Sequence, residues 1–299
     1  MDIFRRWRVS RRHPRRRIEV LGLPPFEMTV HRRFDRYVSY SIHELGQWEP
    51  FETSIVKRLL SPGDTFVDIG ANIGWYTLVA ALLVGQSGRV FAFEPDAENF
   101  AILRHNVRHN LRGAARRSVT LERRAASDRI GAGRIFLSSD NMGDHRIYPS
   151  PGVVASEKIR EVRLDRYFRQ VSSRLSVAKV DTQGAEPRVY KGARERFLKD
   201  RPILVSEFWP FGMDASGRSA DEVLDFFDAL DAQCFVIDEG SEKLLPIRLE
   251  QLAMRTQGDL HPETRDFVDL VVVPGGDPRI DAIADVIGEP WAPSPPTQP

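Results

Sequence analysis

The chain has 299 residues, 41% of them hydrophobic and 28% charged, which supplies a sizeable core and excludes a wholly disordered chain. Its formal net charge of +1 is unevenly spread: the first 17 residues hold eight arginines against Asp2 alone, a local +7, leaving −6 for the rest. The lone cysteine, Cys234, excludes an intramolecular disulfide, and no apolar run reaches the ~20 residues of a membrane-spanning helix.

Residues 1–44 read as a basic N-terminal extension, partly disordered. Its arginines could meet nucleic acid or anionic lipid, but a solvated segment is the simpler reading, and nucleic acid is not expected as a partner. A twin-arginine export signal is rejected because no apolar segment follows, so the expected location is the cytoplasm.

Beyond this segment strands and helices alternate. "FETSIVKRLL" sets Phe51, Ile55, Leu59 and Leu60 on one helical face and stops at Pro62-Gly63. "TFVDIG" (65–70) is a short strand, and "WYTLVAALLVG" a helix ending at Gly85. A second strand, "GRVFAFEP" (88–95), precedes an amphipathic helix with Phe100, Leu103, Val107 and Leu111 in register. "SVTLERRAAS" is the third strand, and the Gly/Ser/Asn/Pro-rich stretch over roughly 129–170 reads as a β-hairpin insertion. There follow the strand "RLSVAKVDTQG" (174–184), the helix "AEPRVYKGARERFLKD" and the strand "PILVSEFWP" (202–210). The helix "ADEVLDFFDAL", the strand "QCFVIDEG", a polar connection and the strand "DFVDLVVVPGG" complete the domain, taken as 45–275; residues 276–299 form a proline-rich tail. Strands this apolar are covered on both faces, so the class is α/β with a parallel sheet.

In such sheets ligands bind beyond the carboxyl ends of the strands, near the point where strand order reverses. The first strand ends in Asp68-Ile69-Gly70, and its helix begins near Gly74. Gly70 lets the backbone lie against a ligand, Gly74 permits tight passage into the helix, and amides at the helix start face the ligand's polar groups. Glu94, at the tip of the second strand, can accept hydrogens from both ribose hydroxyls. The dinucleotide pattern G-x-G-x-x-G is absent, as is the phosphate loop ending in Gly-Lys-Ser/Thr. A nucleoside without a pyrophosphate fits better. S-adenosylmethionine gives Asp68 a reason to be acidic, since its carboxylate favours the ligand's ammonium and sulfonium.

"VDIGANIGWYTLVAA", "VFAFEPDAENFAILRHNVRHN", "VRLDRYF", "AKVDTQGAEPRVYKGA" and "ILVSEF" resemble, in that order, blocks of the FkbM family of S-adenosylmethionine-dependent methyltransferases, over about residues 45–275. The resemblance implies a Rossmann-like class I methyltransferase fold: a seven-stranded, mostly parallel sheet with helices on both faces, its last strand inserted antiparallel. It also implies methyl transfer to a hydroxyl oxygen of a sugar, glycan or secondary metabolite. Nitrogen or macromolecule methylation, or a non-catalytic nucleoside-binding relative, are the alternatives. Carried over, Asp68, Gly70, Ala71, Asn72 and Gly74 form the methionine-side loop, Glu94 holds the ribose, Pro95 lies near the adenine, and Ala125 and Ala126 meet its edge. Asp181 falls close to the reacting methyl group; the family often has Glu at the position of Gln183.

An alcohol is a poor nucleophile, so a base is sought. Asp181 is the first candidate, with Glu186, Glu207 and His145 behind it; Asp181 could equally cap a helix, and Glu186 could merely complement a helix dipole. Asp181 and Glu207 together could hold Mg2+, a weaker alternative because two carboxylates lack a third ligand, so no metal is expected. Trp75, Tyr190, Trp209 and Phe211 are candidate aromatic walls for the acceptor. The acceptor's identity and the oligomeric state are not encoded legibly.

Overall fold

A computed structural model describes residues 9, 12–32, 35–138, 142–149, 153–261 and 266–291; the segments 1–8 and 292–299, within the expected tails, lie outside the described residues. In chain order the strands are β1 (Arg15–Ile18), β2 (Phe26–Thr29), β3 (Thr65–Ile69), β4 (Arg89–Phe93), β5 (Val119–Glu122), β6 (Ala125–Ala126), β7 (Gly131–Ser138) and β8 (Val153–Val162). There follow β9 (Val177–Val180), β10 (Ile203–Phe208), β11 (Ala232–Asp238), β12 (Lys243–Ile247) and β13 (Val268–Pro274).

The main sheet has the order β12-β11-β13-β10-β9-β3-β4-β5. β5, β4, β3, β9 and β10 are parallel, while β13 enters antiparallel between β10 and β11. This is the Rossmann-like class I methyltransferase arrangement. The chain walks outward from β3 to β5 and returns on the other side as β9, so the switch point lies between β3 and β9.

Alternation along the strands feeds two cores. Phe66, Val90, Ala92, Val177 and Val205 face the helices Pro50–Leu59, Trp75–Val84 and Ala97–Asn110. Val67, Ile69, Phe91, Phe93 and Ala178 face the helices Glu186–Asp200 and Asp221–Ala229. Period-two alternation therefore puts Asp68 on the face of Phe66, toward the helix that follows it.

Three expectations are corrected. The sheet has eight strands, because "KLLPI" inside the expected polar connection pairs antiparallel with β11, burying Leu244 and Ile247. "SVTLERRAAS" is divided: β5 joins the main sheet, whereas β6 leaves it to pair with β8 in a three-stranded sheet with β7, the expected hairpin insertion. Much of the expected N-terminal extension is built into the core. β1 and β2 form an antiparallel hairpin that buries Ile18, Phe26, Met28 and Val30 while Arg15, Arg16 and Arg17 stay exposed. Asn106 and Asn110 clamp it to the helix Ala97–Asn110: their Oδ1 atoms accept from Thr29 N (2.9 Å) and Glu27 N (2.8 Å), and their amides donate to Thr29 O and Glu27 O.

Candidate functional site

The tips of β3, β4, β9, β10 and β13 surround one cleft of about 390 Å3. The sequence-predicted residues Asp68, Gly70, Ala71, Asn72, Glu94, Pro95, Ala126, His145, Asp181 and Glu207 all line it; Gly74 does not.

Neither glycine has room for a side chain. A Cβ on Gly70 would lie 1.8 Å from the Asp181 carbonyl oxygen, so its bare Cα is required by the packing of β3 against β9. Gly74, with φ +93°, caps the helix Trp75–Val84, and a Cβ there would meet Leu103 Cδ1 at 2.5 Å, so it also sets helix–helix packing. The loop is tied to β4 instead: Gly70 N and Ala71 N both donate to Phe93 O (3.0 and 3.1 Å). Glu94 completes that tie, its Oε2 accepting from Asn72 N and its Oε1 from Asp96 N, each at 2.8 Å.

Both strand-tip acids are buried. Burial pushes the Asp68 carboxyl up to about 6; the Thr77 hydroxyl, donating to Oδ2 at 2.5 Å, and Lys179 pull the other way, while Asp181 adds to the rise. Burial, then the neighbouring Asp96 charge, pushes Glu94 well above the usual carboxylate range. Two carboxylates held at such cost at the switch point are poised for a cation and for hydroxyl donors. Asn72 Oδ1 and Asn99 Oδ1 are buried and accept no hydrogen bond among the described residues, and both residues line the cleft. These acceptors, with Pro95, Ala125 and Ala126 as an apolar edge, fit a nucleoside bearing a positive charge.

Toward β10 the cleft is acidic. Gln183, in the left-handed region at φ +55°, donates its amide to Asp181 Oδ1 (2.9 Å) and to Glu207 Oε1 (3.1 Å). A donor amide thus stands where the two carboxylates would have shared a metal ion, and among the described residues no group of three His, Cys, Asp or Glu has metal-holding geometry. Asp181 keeps a 26% exposed carboxylate, whose Oδ2 also faces Lys179 Nζ at 3.3 Å.

The other base candidates separate from it. Glu186 does not line the cleft; its Oε1 accepts from Thr182 N and Thr182 Oγ1 (2.7 and 2.8 Å), a turn-capping role. His145 lies beside Asp96, Glu98 and Asp144, and its Nδ1 accepts from Ser138 N at 3.2 Å. That assigns the proton to Nε2 and leaves no free lone pair for a base. Tyr190 is core, donating to Ser206 Oγ and stacked on Phe226. Trp75 and Trp209 do line the cleft; Phe211 does not.

Sequence reasoning missed the cation at the centre. Lys179, paired in register with Asp68, is buried beneath the cleft with Nζ 2.8 Å from Glu52, 3.7 Å from Glu49 and 4.7 Å above the Tyr76 ring. Glu239 accepts from Phe51 N and Glu52 N, fixing the start of the helix that presents Glu52, and Tyr76 Oη donates to Glu49. The signal was present: a lysine inside the doubly covered strand "VAKV" needs a partner. Asp269, opposite Glu207 in the β10–β13 register, was also missed.

The family described as the methyltransferase FkbM domain matches residues 68–234, more than half of the chain. The chain is 31% identical, over 128 residues, to the 31-O-demethyl-FK506 methyltransferase FkbM of Streptomyces tacrolimicus, covering 42% of this chain and 46% of that protein. Among solved structures it resembles the methyltransferase FkbM of Methylobacillus flagellatus KT, with 17% identity and a TM-score of 0.43 over 75% of this chain and 51% of that one. It also resembles the Aeropyrum pernix fibrillarin with natively bound S-adenosyl-L-methionine, with 15% identity and a TM-score of 0.37 over 74% and 72% of the two chains. The chain spans about half the length of each FkbM protein.

Proposed function

From the premise that this chain belongs to the FkbM methyltransferase family, we propose that it transfers a methyl group from S-adenosylmethionine to a hydroxyl oxygen of a sugar, glycan or secondary metabolite. S-adenosylmethionine is the methyl donor of the family. The observation that carries the reading is the convergence of Asp68, Glu94 and Asp181 on one cleft at the switch point.

When bound, the donor supplies an electrophilic methyl on a sulfonium that departs as a neutral thioether. Asp68 favours the positive charges of its methionine end, and Glu94, anchored by two backbone amides, offers its remaining lone pairs to the ribose hydroxyls. Pro95, Ala125 and Ala126 receive the adenine, with Asn72 and Asn99 oxygens as acceptors at the rim. Asp181, held by Gln183 and Lys179, takes the acceptor's hydroxyl proton as the oxygen–methyl bond forms and the carbon–sulfur bond breaks. Glu207 is a second carboxylate within reach of the same acceptor.

Production of S-adenosylhomocysteine and a methyl ether from a panel of hydroxylated acceptors tests the reading; donor binding with no turnover on any acceptor would leave a binding protein instead. Glu94→Ala should weaken S-adenosylhomocysteine binding roughly 10- to 100-fold in calorimetry, the loss of a charge-accepting hydrogen bond worth about 1.5–3 kcal/mol. Unchanged affinity would remove Glu94 from the donor site.

Donor affinity should also depend on pH. The ionised form of Asp68 attracts the donor, so binding is full above about pH 6 and falls, by up to about tenfold per pH unit, as the pH drops below it. The fold responds in the opposite sense. With its folded value raised, ionised Asp68 costs stability at higher pH, and that cost disappears on acidification toward the unfolded value of about 4. Titrations between pH 5 and 8 separate the two, and a flat affinity profile would take Asp68 out of donor binding.

A further inference from the structure

The charge lining the cleft exceeds what the donor can neutralise. Among the described residues seven carboxyl groups line it, those of Glu49, Asp68, Glu94, Asp144, Asp181, Glu207 and Asp269, against two cations, Lys179 and Arg146. Arg146 is spent on Asp144, which it grips through Nε and Nη2 at 2.6 and 2.8 Å. Lys179 lies among Glu52, Glu49 and Asp181. The donor's net charge of one is drawn to Asp68, at the other end. Lys179 also acts on Glu207 and Asp269, but the surrounding acids outweigh it at both.

The second observation is at Glu207 itself. The residue is only 7% exposed, its Oε1 is held by Gln183, and its Oε2 is buried without a hydrogen-bond partner among the described residues although the residue lines the cleft. Asp269 stands directly opposite across the β10–β13 ladder. Burial pushes both carboxyls well up, followed by the Asp181, Glu186 and Asp269 charges at Glu207 and by the Glu52 charge at Asp269, with Lys179 pulling the other way at each. Phe267, 54% exposed, lines the same cleft with a face that suits a sugar ring or an ammonium, whereas the Trp209 ring is taken by Arg146, whose guanidinium lies 4.7 Å from its centroid.

We infer that the acceptor is a hydroxylated amine, an amino sugar or amino alcohol, whose ammonium binds between Glu207 and Asp269 while its hydroxyl faces Asp181. This inference rests on the methyl-transfer reading and narrows it to a substrate class. An ammonium supplies three donors, enough to satisfy Glu207 Oε2 and the Asp269 carboxylate, and its charge offsets the acids around them.

The test uses the full chain saturated with S-adenosylhomocysteine. Methyl glycosides of glucosamine and galactosamine, and 2-aminocyclohexanol, are titrated beside their N-acetyl and hydroxyl counterparts. At least one amine should bind about tenfold or more tightly than its uncharged counterpart, a difference of ~1.4 kcal/mol. Glu207→Gln and Asp269→Asn should each bring that ratio toward one while S-adenosylhomocysteine affinity is retained, which also certifies that the variants are folded. Ratios near one for every pair, no binding of any amine at millimolar concentration, or a preference that survives both substitutions would overturn the inference. Failure of S-adenosylhomocysteine itself to bind would overturn the methyl-transfer reading instead.

Discussion

Asp181→Asn should lower kcat by about two to four orders of magnitude, the usual contribution of a positioned base, with donor affinity changed less than about threefold. The asymmetry follows from the geometry. The Asp181 backbone is fixed independently of its carboxylate, since its amide donates to Ile69 O at 3.0 Å and its carbonyl packs on Gly70. Removing the charge therefore leaves the junction of β3 and β9 in place and deletes only the proton acceptor. Single-turnover rates with saturating donor, read beside calorimetric donor binding, check it. Parallel losses in both would assign Asp181 to maintenance of the loop, and a larger effect of Glu207→Gln on the rate would transfer the base to β10.

Lys179→Met should destabilise the fold by about 3–5 kcal/mol, lowering the thermal midpoint by roughly 10 °C. Methionine fills a similar volume, so the loss is electrostatic: buried Glu52 and its neighbours Glu49 and Asp181 would face one another without the ammonium between them. Burial alone would lower the proton affinity of Lys179, but Glu52, then Glu49 and Asp181, hold it well above the usual lysine value. A raised lysine contributes stability that is fully present below its unfolded value of about 10.4 and is lost as the pH rises through the folded one. One ammonium does not satisfy three acids, and Glu49 shows the deficit, its carboxyl pushed well up by burial despite Lys179. Adding Glu52→Gln to Lys179→Met should recover part of the loss in chemical denaturation. A stable single variant with an unchanged midpoint would show that the cluster is hydrated.

The side of the cleft formed by Asp68 and Glu94 was legible in the sequence because its signals are local. Asp68 and Glu94 each end a β-branched or aromatic run, and the loop between the first of them and its helix is punctuated by Gly70 and Gly74, so position alone assigned them. The acceptor half depends on which strands become neighbours. Asp269 opposes Glu207 only because β13 inserts beside β10, and Lys179 meets Glu52 only because the helix Pro50–Leu59 crosses the sheet at that point. Local pattern also misled where charged residues masked apolar ones. Lys243 and Pro246 hid a strand whose Leu244 and Ile247 are core, and Arg15–Arg17 drew attention from Ile18, Phe26 and Met28. Tyr190 failed for the converse reason, an aromatic side chain near the right strand that turns to the other layer.

The contact between Gly70 and the Asp181 carbonyl has a consequence for how this protein could diversify. Backbone against backbone, with no side chain between, makes the proposed nucleoside cradle and the proposed proton acceptor a single rigid part that admits almost no adjustment. New acceptors would then have to be explored elsewhere, in the segments around His145, Trp209 and Phe267 that line the cleft, while the spacing between the β3 loop and the Asp181 carboxylate stays constant. A shuffled descendant that exchanged those rims and kept this junction would inherit its chemistry intact and change only its clientele.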